Sequence, residues 1–408
     1  MCLDASARDT LRRLALDIRD AAALPIQEER RRLWLRSNRL QPERPMVAAN
    51  PQHGWFELVR EEELVCPEGF LRDVEREMRR TCFRAAHIHD DVPIEACIYL
   101  PMLIQRSDFG LSARVTKPME AMGAYHIEPT ITCEADIDKL HFPKIEIDRA
   151  QSAKRLEVLQ DAIGDIIDVR LVGMDFCRCG LTRQLVHLRG LTQMMLDYYD
   201  EPEIAHRLMA FLRDALICEF EYYEEEGVLS GNTGPYNWLG SGSLGYTDAL
   251  DGAQPGTMKA MSVWGESQET VGVGPDLFDE FVLAYQLPVM ERFGIVEYGC
   301  CEGLDTKFDL LLKKVPHLHW AAVSPWCDRR RAAEKLERKC VYVYKPVPTP
   351  LTTDVPDMEF AERQLRETLD IARDNVVHIV MKDTSTFQGD YRRLEKWTEM
   401  AGRVVCGG

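Results

Sequence analysis

Short apolar runs that end abruptly in reactive or polar side chains recur along the C-terminal half of this chain, and amphipathic stretches separate them. Gly294–Glu297 leads into Tyr298-Gly299-Cys300-Cys301-Glu302, and Leu318–Val323 leads into Ser324-Pro325-Trp326-Cys327-Asp328. Cys340–Tyr344 is followed by Lys345-Pro346, and Val376–Met381 by Lys382-Asp383-Thr384-Ser385. Ser262-Val263 runs into Trp264-Gly265-Glu266-Ser267-Gln268 in the same way. Helical periodicity marks Leu191–Tyr199, Glu203–Glu226, Pro275–Phe293, Arg329–Arg338 and Met358–Arg373. Buried runs alternating with amphipathic helices specify parallel strands joined by helical crossovers. A doubly wound sheet shares that pattern, but the number of units favours a closed (β/α)8 TIM barrel. In a barrel, all these strand ends converge on one face, where catalytic groups gather.

The alternation begins near Ile94, with further runs at Ile94–Leu100 and Ile167–Met174. Before it, Asp4–Ala23 and Glu28–Asn38 read as helices, and Pro67-Glu68 opens another that runs to about Arg80. The expected organisation is an N-terminal helical extension over residues 1–85 and a barrel over 86–408. Leu229–Met261 carries Gly231, Gly234, Gly240, Gly242, Gly245, Gly252 and Gly256, too many for a helix or strand. It reads equally as a lid or binding loop and as a surface insertion.

A net charge of −17 disfavours nucleic acid as a partner. No stretch approaches the roughly 20 apolar residues of a membrane span. Met1–Arg13 has no apolar signal core, so a cytoplasmic protein is expected. The 13 cysteines are odd in number and form no CxxC pair. They read as reduced thiols rather than as a disulfide framework or zinc ribbon.

Each strand-end residue has a packing reading beside its functional one. Cys300 and Cys301 pack as small hydrophobes or serve as ligands, and neighbouring residues on a strand face opposite ways. Glu302 caps the next helix or acts as an acid. Lys345 and Lys382 are loop lysines or point into a cleft. Trp326 is core or a pocket floor, and Asp383 caps a helix or takes part in the chemistry. Cys177-Arg178-Cys179 follows an apolar run and reaches the same face if that run is a barrel strand.

At these residues the chain resembles the uroporphyrinogen decarboxylase superfamily, which includes the methyltransferases of corrinoid-dependent methyl metabolism. The resemblance spans roughly residues 90 to 400. It rests on Trp264-Gly265-Glu266-Ser267-Gln268, on Phe293-Gly294-Ile295-Val296-Glu297-Tyr298-Gly299-Cys300-Cys301-Glu302, and on Met381-Lys382-Asp383. It implies a (β/α)8 barrel. The zinc-dependent methyltransferases of the family place a His-x-Cys motif at the matching strand end and a further cysteine near the C-terminus. Here Cys300 stands at the motif cysteine and Tyr298 at the histidine, while the C-terminal strand end offers Lys382 and Asp383. The usual zinc triad is incomplete, and a variant site of Cys300, Cys301 and Glu302 is the alternative. The stretch Trp34–Pro45 lacks the arginine-rich motif with which uroporphyrinogen decarboxylase grips carboxylates. The methyltransferase branch is therefore preferred.

That branch implies demethylation of a small O- or N-methylated compound, with the methyl group passed to a corrinoid on a partner protein. No Asp-x-His-x-x-Gly motif for holding cobalt is present, so the corrinoid is expected on a separate chain; a homodimer is also implied. Departure of the methyl group leaves charge on oxygen or nitrogen, which a metal or an acid must stabilise. The expected catalytic residues are Glu302, Tyr298, Lys382 and Asp383. Gln268, Trp264, Trp326 and Lys345 are expected to bind substrate, and Cys300, Cys301 and Glu302 to hold zinc. The alternative is a lyase that decarboxylates a small anionic substrate without a corrinoid. A non-catalytic binding module is the third reading, and reactive groups at several strand ends argue against it.

Overall fold

The computed structural model describes residues 3–111, 114–116 and 126–407. Its centre is a parallel sheet of seven strands: β1 (Met46–Ala49), β2 (Cys177–Cys179), β3 (Ser262–Gly265), β4 (Ile295–Tyr298), β5 (Leu318–Val323), β6 (Val341–Tyr344) and β7 (Val376–Met381). The hydrogen-bonded order is β1-β7-β6-β5-β4-β3-β2. The first strand in the chain thus closes against the last, as in an α/β barrel. β1 and β2 are the two edges, with no ladder between them among the described residues.

Side chains alternate across each strand. Val47, Ala49, Val263, Val296, Tyr298, Ala321, Val323, Tyr342, Tyr344, Val377, Ile379 and Met381 face the surrounding helices and form the main core with them. The opposite face is the inner one, where Ile295, Trp320, Val341, Val343, Val376 and Val380 cluster.

The glycine-rich segment fills this inner face. Leu239 joins the inner cluster, and Leu244 packs with Leu33, Trp34, Met46 and Ala48. A Cβ on Gly240 would lie 1.9 Å from the Trp264 ring, so the loop can pass there only without a side chain. Asn38 ends the helix Ile26–Asn38 inside this packing. Its amide donates to the Tyr246 carbonyl at 2.7 Å and its oxygen accepts from Trp320 Nε1 at 2.8 Å. His378 of β7 lies between Ser37 Oγ at 2.9 Å and Ser243 Oγ at 2.8 Å. Burial first, and then neighbouring His319, lowers its pKa to about 3 and keeps the ring neutral. Leu229–Met261 is therefore neither a lid nor a surface insertion along its middle portion.

Most expected elements appear within a residue or two, including β5 and β7 at their full expected lengths. Two expectations are corrected. Ile94–Leu100 and Ile167–Met174 overlap strands, Cys97–Pro101 and Asp168–Val172, but these pair with each other in a separate parallel ladder. They are covered by Ala5–Ala22, Phe70–His87 and Arg149–Ile163, which share a second core with them. A split at residue 85 also cuts through the main sheet, because Met46–Ala49 pairs with β7 from Met46↔His378 to Ala49↔Met381. Four residues, two of them alanine, are too short and too small to display a strand pattern. No helix among the described residues is long and apolar enough to cross a membrane.

Removing the bridge between loop and sheet leaves the Trp320 indole N–H and the Tyr246 carbonyl without partners. Asn38→Ala should lower unfolding stability by about 1–3 kcal/mol, read from the midpoint of a chemical denaturation curve.

Candidate active site

The C-terminal ends of β3, β4, β6 and β7 bring together the groups with chemical potential. Gly299, just beyond β4, makes this possible. It has φ 102°, and a Cβ there would lie 2.5 Å from Leu304 and 3.1 Å from Ala322. Its N–H donates to Gly265 O at 2.8 Å, and its carbonyl accepts from Trp264 Nε1 at 2.8 Å. The chain then turns to present Cys300 and Cys301, whose Sγ atoms are 3.5 Å apart. Lys345, buried at the end of β6, places Nζ 3.9 Å from Cys301 Sγ. The hydrogen bond from Cys300 and the charge of Lys345 hold the Cys301 thiol below its ordinary range, against the effect of burial. The same thiol pairing, together with burial, pushes Cys300 upward. Of the two thiols, Cys301 is the one nearer the Lys345 ammonium, and that charge favours its ionised form.

Lys382, buried at the end of β7, donates to Gly240 O at 3.3 Å. Beneath it lies Glu297, an inward-facing carboxylate of β4. It accepts from Gly240 N and Ser241 N, each at 2.8 Å, and from the Ser241 hydroxyl. Burial raises its pKa to about 7, although these bonds and the charges of Lys382 and Lys345 pull it down. Asp383 follows in the left-handed region (φ 60°), exposed, with its N–H donating to Gln52 Oε1 at 2.9 Å.

Four expected residues have other duties. Tyr298 faces the helices, and its hydroxyl donates to Gln286 Oε1 at 2.6 Å. Burial drives its pKa well above the ordinary value, so it is a brace and not a proton donor at the mouth. Glu302 is fully buried; its oxygens accept from Ser267 N at 3.0 Å and Cys300 N at 2.9 Å, tying the loops after β3 and β4 together. Trp326 is 79% exposed and is no pocket floor. Gln268 lies in a short turn, with its amide toward Glu269 at 3.5 Å. Trp264 does line the inner face, with the Arg178 guanidinium 4.7 Å over its ring.

Zinc needs three or four thiolate, imidazole or carboxylate donors. Glu302 is oriented by backbone amides on both oxygens, and the Lys345 ammonium beside Cys301 repels a cation. No group of three or more His, Cys, Asp or Glu residues able to hold a metal occurs among the described residues. The residues do not fit a zinc ion on Cys300, Cys301 and Glu302.

Three charged groups were given no role by sequence reasoning, although Arg178 and Glu266 stood in two of its motifs. Glu297 was visible as a carboxylate inside an apolar run, at the register of Ile295 rather than Val296. Arg178, between two buried cysteines, donates to Glu266 Oε1 at 2.6 and 3.1 Å. Burial, and then the neighbouring Glu269, raises the Glu266 pKa to about 7 despite that arginine.

No protein-family model matches the chain, and no curated protein matches it. Among solved structures, it is similar to a methyltransferase from Methanosarcina mazei, at 9% identity and a TM-score of 0.49, over 92% of this chain and 98% of that one.

The rate of alkylation by iodoacetamide should follow Cys301 ionisation, with a midpoint below the ordinary thiol value of about 8.5. Removing the cation disfavours the thiolate, so Lys345→Met should move that midpoint upward by about one unit or more. A midpoint that does not move would remove Lys345 from the account of this thiol.

Proposed function

We propose that the chain is a methyltransferase that removes a methyl group from a small O- or N-methylated compound and passes it to a corrinoid on a partner protein, without zinc held by this chain. One observation carries the reading: two buried ammonium groups, Lys345 and Lys382, stand at neighbouring strand ends beside the Cys300–Cys301 thiol pair. The resemblance of the strand-end motifs to the corrinoid-dependent branch supports the class of reaction.

The corrinoid would be a co-substrate brought by the partner, supplying a strongly nucleophilic cobalt as the methyl acceptor. This chain's task is the leaving heteroatom. When the carbon–oxygen or carbon–nitrogen bond breaks, its electron pair stays on oxygen or nitrogen, which must be stabilised or protonated. Lys345 and Lys382 are suited to donate to that atom, and low effective polarity around them strengthens the interaction. Cys301 Sγ, 3.9 Å away, orients Lys345, and Lys382 is held by the Gly240 carbonyl.

Two buried ammonium groups equally suit a carboxylate substrate, which favours a lyase as the second reading. There, a carbon–carboxylate bond would break, carbon dioxide would leave, and an acid of the site would protonate the carbon. Carbon dioxide release without any corrinoid would establish that reading and overturn the first.

The decisive assay offers reduced free cobalamin with a panel of methoxylated and N-methylated small molecules and follows the cobalt absorbance. Turnover should appear with at least one donor and survive dialysis against a chelator. Lys345→Ala and Lys382→Ala should each lower kcat by roughly 10²–10⁴-fold, whereas Tyr298→Phe should change it little. Loss of activity on chelation would overturn the zinc-free reading.

A further inference from the structure

A cavity of about 340 Å³ lies at the β2 edge of the sheet, between the helices Leu181–Arg189 and Pro202–Glu225. Its lining includes none of Cys300, Cys301, Lys345 or Lys382. The size falls within the range of pockets that enclose small organic ligands.

Most of the wall is apolar and aromatic, with Phe109, Phe176 and Phe220 contributing rings. Phe176 is 45% exposed although its ring centroid is 5.9 Å from that of Trp264. Such a ring at a cavity mouth offers a flat apolar surface to an occupant.

The charges of the lining are unevenly matched. Arg106 is paired with Glu219 at 2.7 Å, and the second Glu219 oxygen accepts from Tyr223 at 3.0 Å. Arg178 is paired with Glu266 at 2.6 Å. Glu269, close by, is engaged by Thr182 Oγ1 at 2.7 Å. Arg183, half-buried in the wall, has no carboxylate partner among the described residues. His187, one turn further along the same helix, has its pKa lowered by burial and then by Arg183. It therefore adds a neutral hydrogen-bonding group rather than a second cation.

We infer that this cavity is a binding site for a small aromatic carboxylate, whose ring packs against Phe176 and Phe220 and whose carboxylate pairs with Arg183. A planar guanidinium donates two parallel hydrogen bonds to a carboxylate, and the apolar wall rewards a ring over a hydrated anion. The site shares Arg178 with the β3 end but none of Cys300, Cys301, Lys345 or Lys382, so the inference does not rest on the methyl-transfer reading.

Isothermal titration calorimetry of the full chain with benzoate tests it, with benzyl alcohol as the uncharged analogue. Benzoate should bind, and benzyl alcohol should bind on the order of tenfold more weakly or less. Arg183→Gln should raise the benzoate Kd by a similar factor, and Phe176→Ala, a change at an exposed ring, should also raise it. Lys345→Gln should leave the Kd unchanged. Absence of benzoate binding at millimolar concentration, an Arg183→Gln Kd equal to wild type, or loss of binding in Lys345→Gln would each overturn the inference. Failure of methyl transfer to free cobalamin would not bear on it.

Discussion

The carboxylate of Glu297 sits at the centre of a problem that the whole fold must solve. A parallel sheet covered by helices on one face must bury the other, and here that inner face is filled by a loop with polar backbone groups rather than by side chains alone. Buried amides and charges cost several kcal/mol each unless they are matched. Glu297 matches two amides and a hydroxyl of the loop, and its field reaches the two lysines above it. Asn38 and His378 perform the same service deeper in the interior. Without these partners the glycine-rich segment would have no reason to enter.

The chemical face inherits its geometry from this arrangement. Gly240 carries both a bond to Glu297 and the carbonyl that receives Lys382, so the loop that fills the interior also sets one side of the mouth. On the other side Glu302 ties Ser267 to Cys300, which fixes the turn that presents the thiol pair. The reactive groups are thus supported by carboxylates that do not themselves reach the mouth. This division explains why a glutamate next to two cysteines is a brace rather than a ligand. Its two oxygens satisfy amides that would otherwise be buried unpaired.

The cationic character of the mouth follows from the same economy of charge. Lys345 and Lys382 are buried with partial compensation: the Cys301 sulfur, the Gly240 carbonyl and the Glu297 carboxyl group. An anionic or developing-anionic atom entering from solvent would complete the match. Both functional readings, an alkoxide or amine leaving group and a carboxylate, satisfy that demand in different ways. They are separated by the fate of the bond that breaks, not by the shape of the site.

What the sequence determined by itself was local. Apolar runs of strand length, amphipathic stretches of helix length, and polar residues at one end of each run follow from periodicity and hydrophobicity, and they pointed to a candidate face at the ends of β3 to β7. Which side chains turn toward that face was decided only by tertiary structure. Tyr298 and Glu297 are neighbours in one strand and so face opposite ways, but only the packing decides that Tyr298 meets the helices and Glu297 the interior. Trp326 looked like a pocket residue and lies in solvent, because nothing in a strand-end loop specifies its direction. Met46–Ala49 became a sheet strand through pairing with a segment more than 300 residues away, a partner that no local pattern encodes. Long-range pairing and the matching of buried charge act between residues far apart in sequence, and so they become visible only once the chain is folded.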